Sequence, residues 1–110
     1  MKWTEVIMVQ ISARETDQVE KKIEKLVAEI GNGGRKVKMN LYRRALVEND
    51  LSIHLDWETE KAEIQGSATG LCLSHVLREF GLVSHTVWLP ANGWFVRKFT
   101  SRSEKTKRFN

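Results

Sequence analysis

The sequence predicts an α+β domain: one antiparallel sheet of four strands, with two helices together on one of its faces. Three observations carry that prediction. Segments 3–12, 36–47, 51–58 and 82–90 are rich in β-branched and apolar residues or alternate apolar with polar, as extended chain with side chains on opposite faces requires. Two segments between them repeat apolar residues at helical spacing instead. Only a three-residue turn, Glu48-Asn49-Asp50, separates the middle two extended runs, which makes them an antiparallel hairpin.

The first strand, "WTEVIMVQIS", has apolar residues on both faces: Val6 and Met8 on one, Ile7, Val9 and Ile11 on the other. In the first helix Val19, Ile23, Leu26, Val27 and Ile30 form one stripe, with Glu20, Lys21, Lys22, Glu24 and Lys25 toward solvent. Asp17 followed by Glu20 resembles a capping box, and Gly31 with Asn32 stops the helix before Gly33 and Gly34 prolong the loop. In "SATGLCLSHVLREFGL" a second helix places Ala68, Cys72, Leu73, Val76, Leu77 and Phe80 on one face, with Ser67 as N-cap and Gly81 as stop. "LVSHTVWLP" closes the sheet, Pro90 to Gly93 turns, and "WFVRKFT" reads as a last short strand or packed arm. Two helices do not cover both faces of a four-stranded sheet, and right-handed crossovers put them on the same face. The order β-α-β-β-α-β is then the ferredoxin-like arrangement, with the other face left open.

Length and charge set further bounds. At 110 residues with 41% hydrophobic side chains the chain is one domain, read as residues 1–96 followed by a basic tail, residues 97–110. Of 18 basic and 14 acidic side chains, six and one lie in that tail, so residues 1–96 carry 12 and 13 and are close to neutral. The basicity therefore belongs to the tail, most simply a solvated terminus rather than an arm on phosphate. One cysteine, Cys72, forms no internal disulfide, no Cys/His spacing suits a metal, and no apolar run approaches a membrane span. A soluble cytoplasmic protein without metal or cofactor is expected.

The third strand, "LSIHLDW", puts Leu51, Ile53, Leu55 and Trp57 under the helices and Ser52, His54 and Asp56 on the open face. On the second strand Lys38, Asn40, Tyr42 and Arg44 share one side, so Tyr42 and Arg44 join His54 and Asp56. With Trp88 on the last strand, that face is half polar and half apolar, which suits a partner sheet better than water.

The β-α-β-β-α-β order over residues 3–89, the stretch "NLYRRALVENDLSIHLDWET" and the closing "LVSHTVWL" resemble the antibiotic-biosynthesis-monooxygenase-like family of the dimeric α/β-barrel superfamily. The resemblance implies a homodimer whose two sheets face each other as a barrel and a cavity for a small organic molecule. In some relatives it also implies oxidation of phenols or quinols by molecular oxygen without a cofactor. Trp57 matches a tryptophan that ends the third strand in many relatives, and His75 lies in the second helix, where some place a functional histidine. Haem-degrading relatives carry an asparagine in the first strand and a tryptophan in the second helix. Residues 3–12 hold no Asn and 67–81 no Trp, so haem degradation is not expected.

A cofactor-free oxygenase needs a base for a phenol or enol proton, and histidine suits it because its ordinary pKa of about 6.5 lies near working pH. His54, His75 and His85 are the candidate bases, His54 and His75 the ones retained as catalytic candidates; Tyr42, Arg44, Asp56 and Trp57 are the ligand-binding candidates. A simpler reading of His54 and Asp56 is hydrogen bonding or ion pairing across the dimer with Lys38, Tyr42 or Arg44. His85 shares its alternation with Val83 and Val87 and is expected to be a partly buried, hydrogen-bonded core residue, and Cys72 a small core residue. The function expected is a small-molecule-binding homodimer with cofactor-independent monooxygenase activity on a phenolic or quinol-type substrate. Its alternative is a non-catalytic ligand-binding or structural dimer. Nucleic-acid binding through the sheet would need exposed aromatics in basic surroundings, and the central strand instead carries Asp56.

Overall fold

The computed structural model describes residues 1–31, 37–47 and 49–91. Asn32 to Gly34, Glu48, the arm expected at 94–100 and the basic tail, 97–110, lie outside the described residues. The elements run β1 (Lys2–Ile11), α1 (Thr16–Gly31), β2 (Val37–Arg43), β3 (Asp50–Glu58), α2 (Ala68–Leu77) and β4 (Gly81–Trp88). The strands form one antiparallel sheet in the order β2-β3-β1-β4. This is the ferredoxin-like α+β fold that the pattern of the chain predicts.

Alternation positions the core. Trp3, Glu5, Ile7, Val9 and Ile11 of β1 are all buried, and Leu51, Ile53 and Leu55 of β3 lie beside them in register, Ile7 opposite Ile53 and Val9 opposite Leu51. Val19 and Ile23 of α1 and Leu73 and Leu77 of α2 close over this layer. Each such side chain contributes about 1.5–3 kcal/mol by leaving water. Lys22 of α1 sits 5.5 Å above the Phe80 ring just past α2, a contact between the two helical segments.

Three local expectations are corrected. Asp17 does not cap α1: the helix starts at Thr16 as the continuation of a 3₁₀ turn, Ala13–Glu15, entered from Ser12, so Asp17 is already in its first turn. β2 ends at Arg43 rather than near residue 47. The Arg44 N–H turns to the Asp50 carbonyl (2.9 Å), Leu46 takes φ 69°, and Asn49 ties the turn to β1 through Ile11 N–H to Asn49 O (2.8 Å) and Asn49 Nδ2 to Ile11 O (2.9 Å). α2 is rotated in part from the expected face: Leu73 and Leu77 point inward as expected, but Gly70 and Ser74 join them while Ala68 and Cys72 are exposed. The segment ATGLCLSHVL is apolar almost all the way round, so its wheel has no sharp preference, and a polar contact described below turns it.

Candidate functional site

The open face is built by the even-numbered residues of all four strands, which register places side by side. Thr4 stands opposite Asp56 and Trp88, Val6 opposite His54 and Thr86, Asn40 opposite His54, and Lys38 opposite Asp56. Tyr42 and His54 meet there, with ring centroids 4.4 Å apart and planes tilted by 54°. His54 Nε2 lies 3.2 Å from Ser52 Oγ, and Thr4 Oγ1 donates to Asp56 Oδ1 at 2.9 Å. Among the expected site residues, then, Tyr42, His54 and Asp56 share one surface.

Arg44 lies at one end of that face, and His75 and Trp57 lie off it. His75 is exposed on the outer side of α2. Arg44, beyond the end of β2, pairs Nη1 with Asp50 Oδ2 at 3.1 Å. At that end of the open face a groove of about 310 Å³ runs from Arg44 and Asp50 past Met8 and Gln10 to Leu82 and Ser84. Trp57 is on the opposite face, under the helices, stacked on Trp3 with centroids 5.7 Å apart. Trp3 Nε1 in turn donates to Thr59 Oγ1 at 2.8 Å.

Trp57 leads to the group that sequence reasoning missed. Its Nε1 donates to Glu5 Oε1 at 2.7 Å, and the fully buried Glu5 carboxylate also accepts from the Ser67 hydroxyl, from Ser67 N–H at 2.9 Å and from His85 Nε2 at 2.8 Å. A buried carboxylate is tolerated when its lone pairs are filled in this way. Ser67 does double duty: its hydroxyl donates to Glu5 and accepts the Gly70 N–H (2.9 Å), capping α2. A Cβ on Gly70 would lie 2.1 Å from Glu5 Oε2, and one on Gly66, at φ 108°, 2.4 Å from His85 Cε1. Both glycines therefore let the start of α2 close onto the carboxylate. The signal in the chain was parity: Glu5 falls on the same alternation as Trp3, Ile7 and Val9, where an unpaired acid is out of place.

Chemically, the buried cluster is an orienting and anchoring device, whereas the open face offers an imidazole, a phenol, a carboxylate and apolar surface to whatever covers it. Among the described residues no group of His, Cys, Asp and Glu has the arrangement to hold a metal ion, and no helix is long and apolar enough to cross a membrane. No protein-family model, curated protein or solved structure matches this chain.

Proposed function

We propose that the chain acts as a homodimer joined sheet to sheet, holding a small organic molecule in the space between the two sheets. The observation that carries this reading is the exposure of Met8 (40%), Tyr42 (49%), Leu82 (76%) and Trp88 (61%) on the face opposite the helices. They come from β1, β2 and both ends of β4, so the apolar surface extends across the sheet. Four strands about 4.8 Å apart and seven residues long at about 3.3 Å each give a flat footprint of roughly 450 Å². Two copies then cover about 900 Å² before side-chain relief is counted, close to the roughly 1,000 Å² a specific interface needs. Lys38, His54 and Asp56 on the same face supply polar contacts that set the register. Cytoplasmic placement belongs to this reading and is supported by the single cysteine, which leaves no disulfide within the chain.

Light scattering at micromolar concentration tests the pairing: a mass of twice 12.7 kDa is expected, and a monomer overturns it.

A second reading, cofactor-independent oxygenation of a phenol or quinol in the enclosed space, is favoured by the Tyr42–His54 contact, an imidazole beside an aromatic platform. The base takes the phenolic proton, the phenolate carbon bonds to oxygen, the ring C–H at that carbon and the O–O bond break, and the substrate supplies all four electrons, leaving as the quinone with one oxygen atom while the other becomes water. Oxygen uptake with quinols and naphthols is expected to fall in His54→Ala. Equal rates in the wild type, His54→Ala and His75→Ala remove both histidines from the mechanism. Absence of uptake in a dimer that still binds ligand leaves the non-catalytic alternative.

A further inference from the structure

The groove at the Arg44 end of the open face has one chemical property that the fold does not explain. Asp50 is 6% exposed and lines the groove; its Oδ2 takes Arg44 Nη1, but its Oδ1 is shut off from solvent and has no hydrogen-bond partner among the described residues. A buried carboxylate oxygen without a donor is an acceptor in want of one. Arg44, paired with Oδ2, has a side chain 61% exposed, and its displacement is the movement that a ligand requires to reach Oδ1.

We propose that this groove binds a neutral, hydroxyl-bearing molecule with an apolar body, its hydroxyl seated between Asp50 and Arg44. The charges select the class. An ammonium group would meet the Arg44 cation, and a carboxylate would meet the Asp50 anion. A neutral hydroxyl satisfies both, donating to Asp50 Oδ1 and accepting from the Arg44 guanidinium. The body of the ligand lies along Met8 and Leu82, exposed apolar side chains on the same groove, and the polarisable Met8 thioether suits a flat ring. Gln10, the register partner of Asp50, and Ser84, opposite Met8 on β4, offer further polar contacts. A volume of about 310 Å³ is at the lower end for small-molecule pockets. This site rests on the small-molecule-binding reading above, and the second sheet of the dimer would roof it.

The test is calorimetry on the full chain with three probes of one shape: 2-naphthol, 2-naphthoate and 2-naphthylmethylammonium. The wild type is expected to bind 2-naphthol about tenfold tighter than either charged probe. Asp50→Asn is expected to weaken 2-naphthol about five- to tenfold, the worth of one hydrogen bond, and to improve 2-naphthoate. Arg44→Met is expected to improve the ammonium probe. Leu82→Ser changes an exposed side chain, so it tests the apolar wall, with an expected loss of about fivefold for 2-naphthol, even if Asp50→Asn fails to fold. Equal binding of the three probes, no binding of 2-naphthol at millimolar concentration, or a ranking unmoved by these variants overturns the proposal. Light scattering on the same samples separates the two readings. A monomer that keeps the 2-naphthol ranking overturns sheet pairing and leaves the site standing; a dimer without the ranking overturns the site.

Discussion

His85 Nε2 lies 2.8 Å from Glu5 Oε2, joining residues 80 positions apart across the neighbouring strands β4 and β1 on the face that the helices cover. Through the same carboxylate, Trp57 of β3 and Ser67 at the start of α2 are drawn to one point. Three strands of the sheet and the second helix thus meet at a single buried acid, and the orientation of that helix follows from it.

Replacing that acid by its amide tests the point. In Glu5→Gln one acceptor oxygen becomes a donor that faces donors already present, Trp57 Nε1 and the Ser67 hydroxyl or Ser67 N–H and His85 Nε2. The expected loss is about 3 kcal/mol in urea unfolding, in the range for breaking a buried charged network. A loss under about 1 kcal/mol means that the cluster is incidental to the docking of α2.

Gly70→Ala carries an expectation of opposite sign to helix propensity. In an exposed helix interior the change gains about 1 kcal/mol. Here the new methyl falls 2.1 Å from Glu5 Oε2, so α2 must move off the carboxylate, and a net loss of about 2 kcal/mol or more is expected by thermal or chemical unfolding. Gly66→Ala, strained at φ 108° and 2.4 Å from His85 Cε1, should lose stability as well.

Cys72 supplies a check on the rotation of α2 that needs no mutation. Exposed on the outer side of the helix, its thiol should react fully with a disulfide reagent such as DTNB under native conditions, at a rate close to that in urea. Protection that disappears only on unfolding would place it in the core and return the helix to the face its wheel suggests.

For the sheet face, Leu82→Lys combined with Trp88→Lys places two charges on side chains 76% and 61% exposed in the single chain. Surface changes of this kind alter the stability of the fold by about 0.5 kcal/mol or less each. The expected outcome in light scattering is a monomer with an unchanged circular dichroism spectrum, and a mass still twice that of the chain would put the contact elsewhere.

What could be read in the chain and what could not divide along a physical line. β3 was legible because Leu51, Ile53 and Leu55 alternate strictly with Ser52, His54 and Asp56, and one face of a sheet must be apolar. α1 was legible because Val19 and Ile23 stand out against charged neighbours. The same alternation brings Tyr42, His54 and Asp56 onto one face from the sequence alone. α2 was legible only in part: Leu73 and Leu77 face inward as expected, but Gly70 and Ser74 take the places given to Ala68 and Cys72, because the start of the helix closes onto the Glu5 carboxylate more than sixty residues away. The bounds of β2 were not legible, because alternation continues on paper past Arg43 while in space Arg44 already turns to Asp50 and Asn49 ties the turn to β1; Arg44 still lines the open-face groove.

The place of β1 in the sheet also governs how the chain is made. With β3 on one side and β4 on the other, the second edge begins to be covered only when Gly81 has reached Ile11, 70 residues downstream, and the ladder then runs on to Trp88 opposite Thr4. At a synthesis rate of about 5–20 residues per second, the ribosome leaves one edge of β1 bare for roughly 4–14 s. Through that interval Ile7 and Val9 sit beside an open ladder that any neighbouring nascent chain can extend. Soluble yield should therefore respond to slower growth temperature and to chaperone supply more than to changes that strengthen the finished fold.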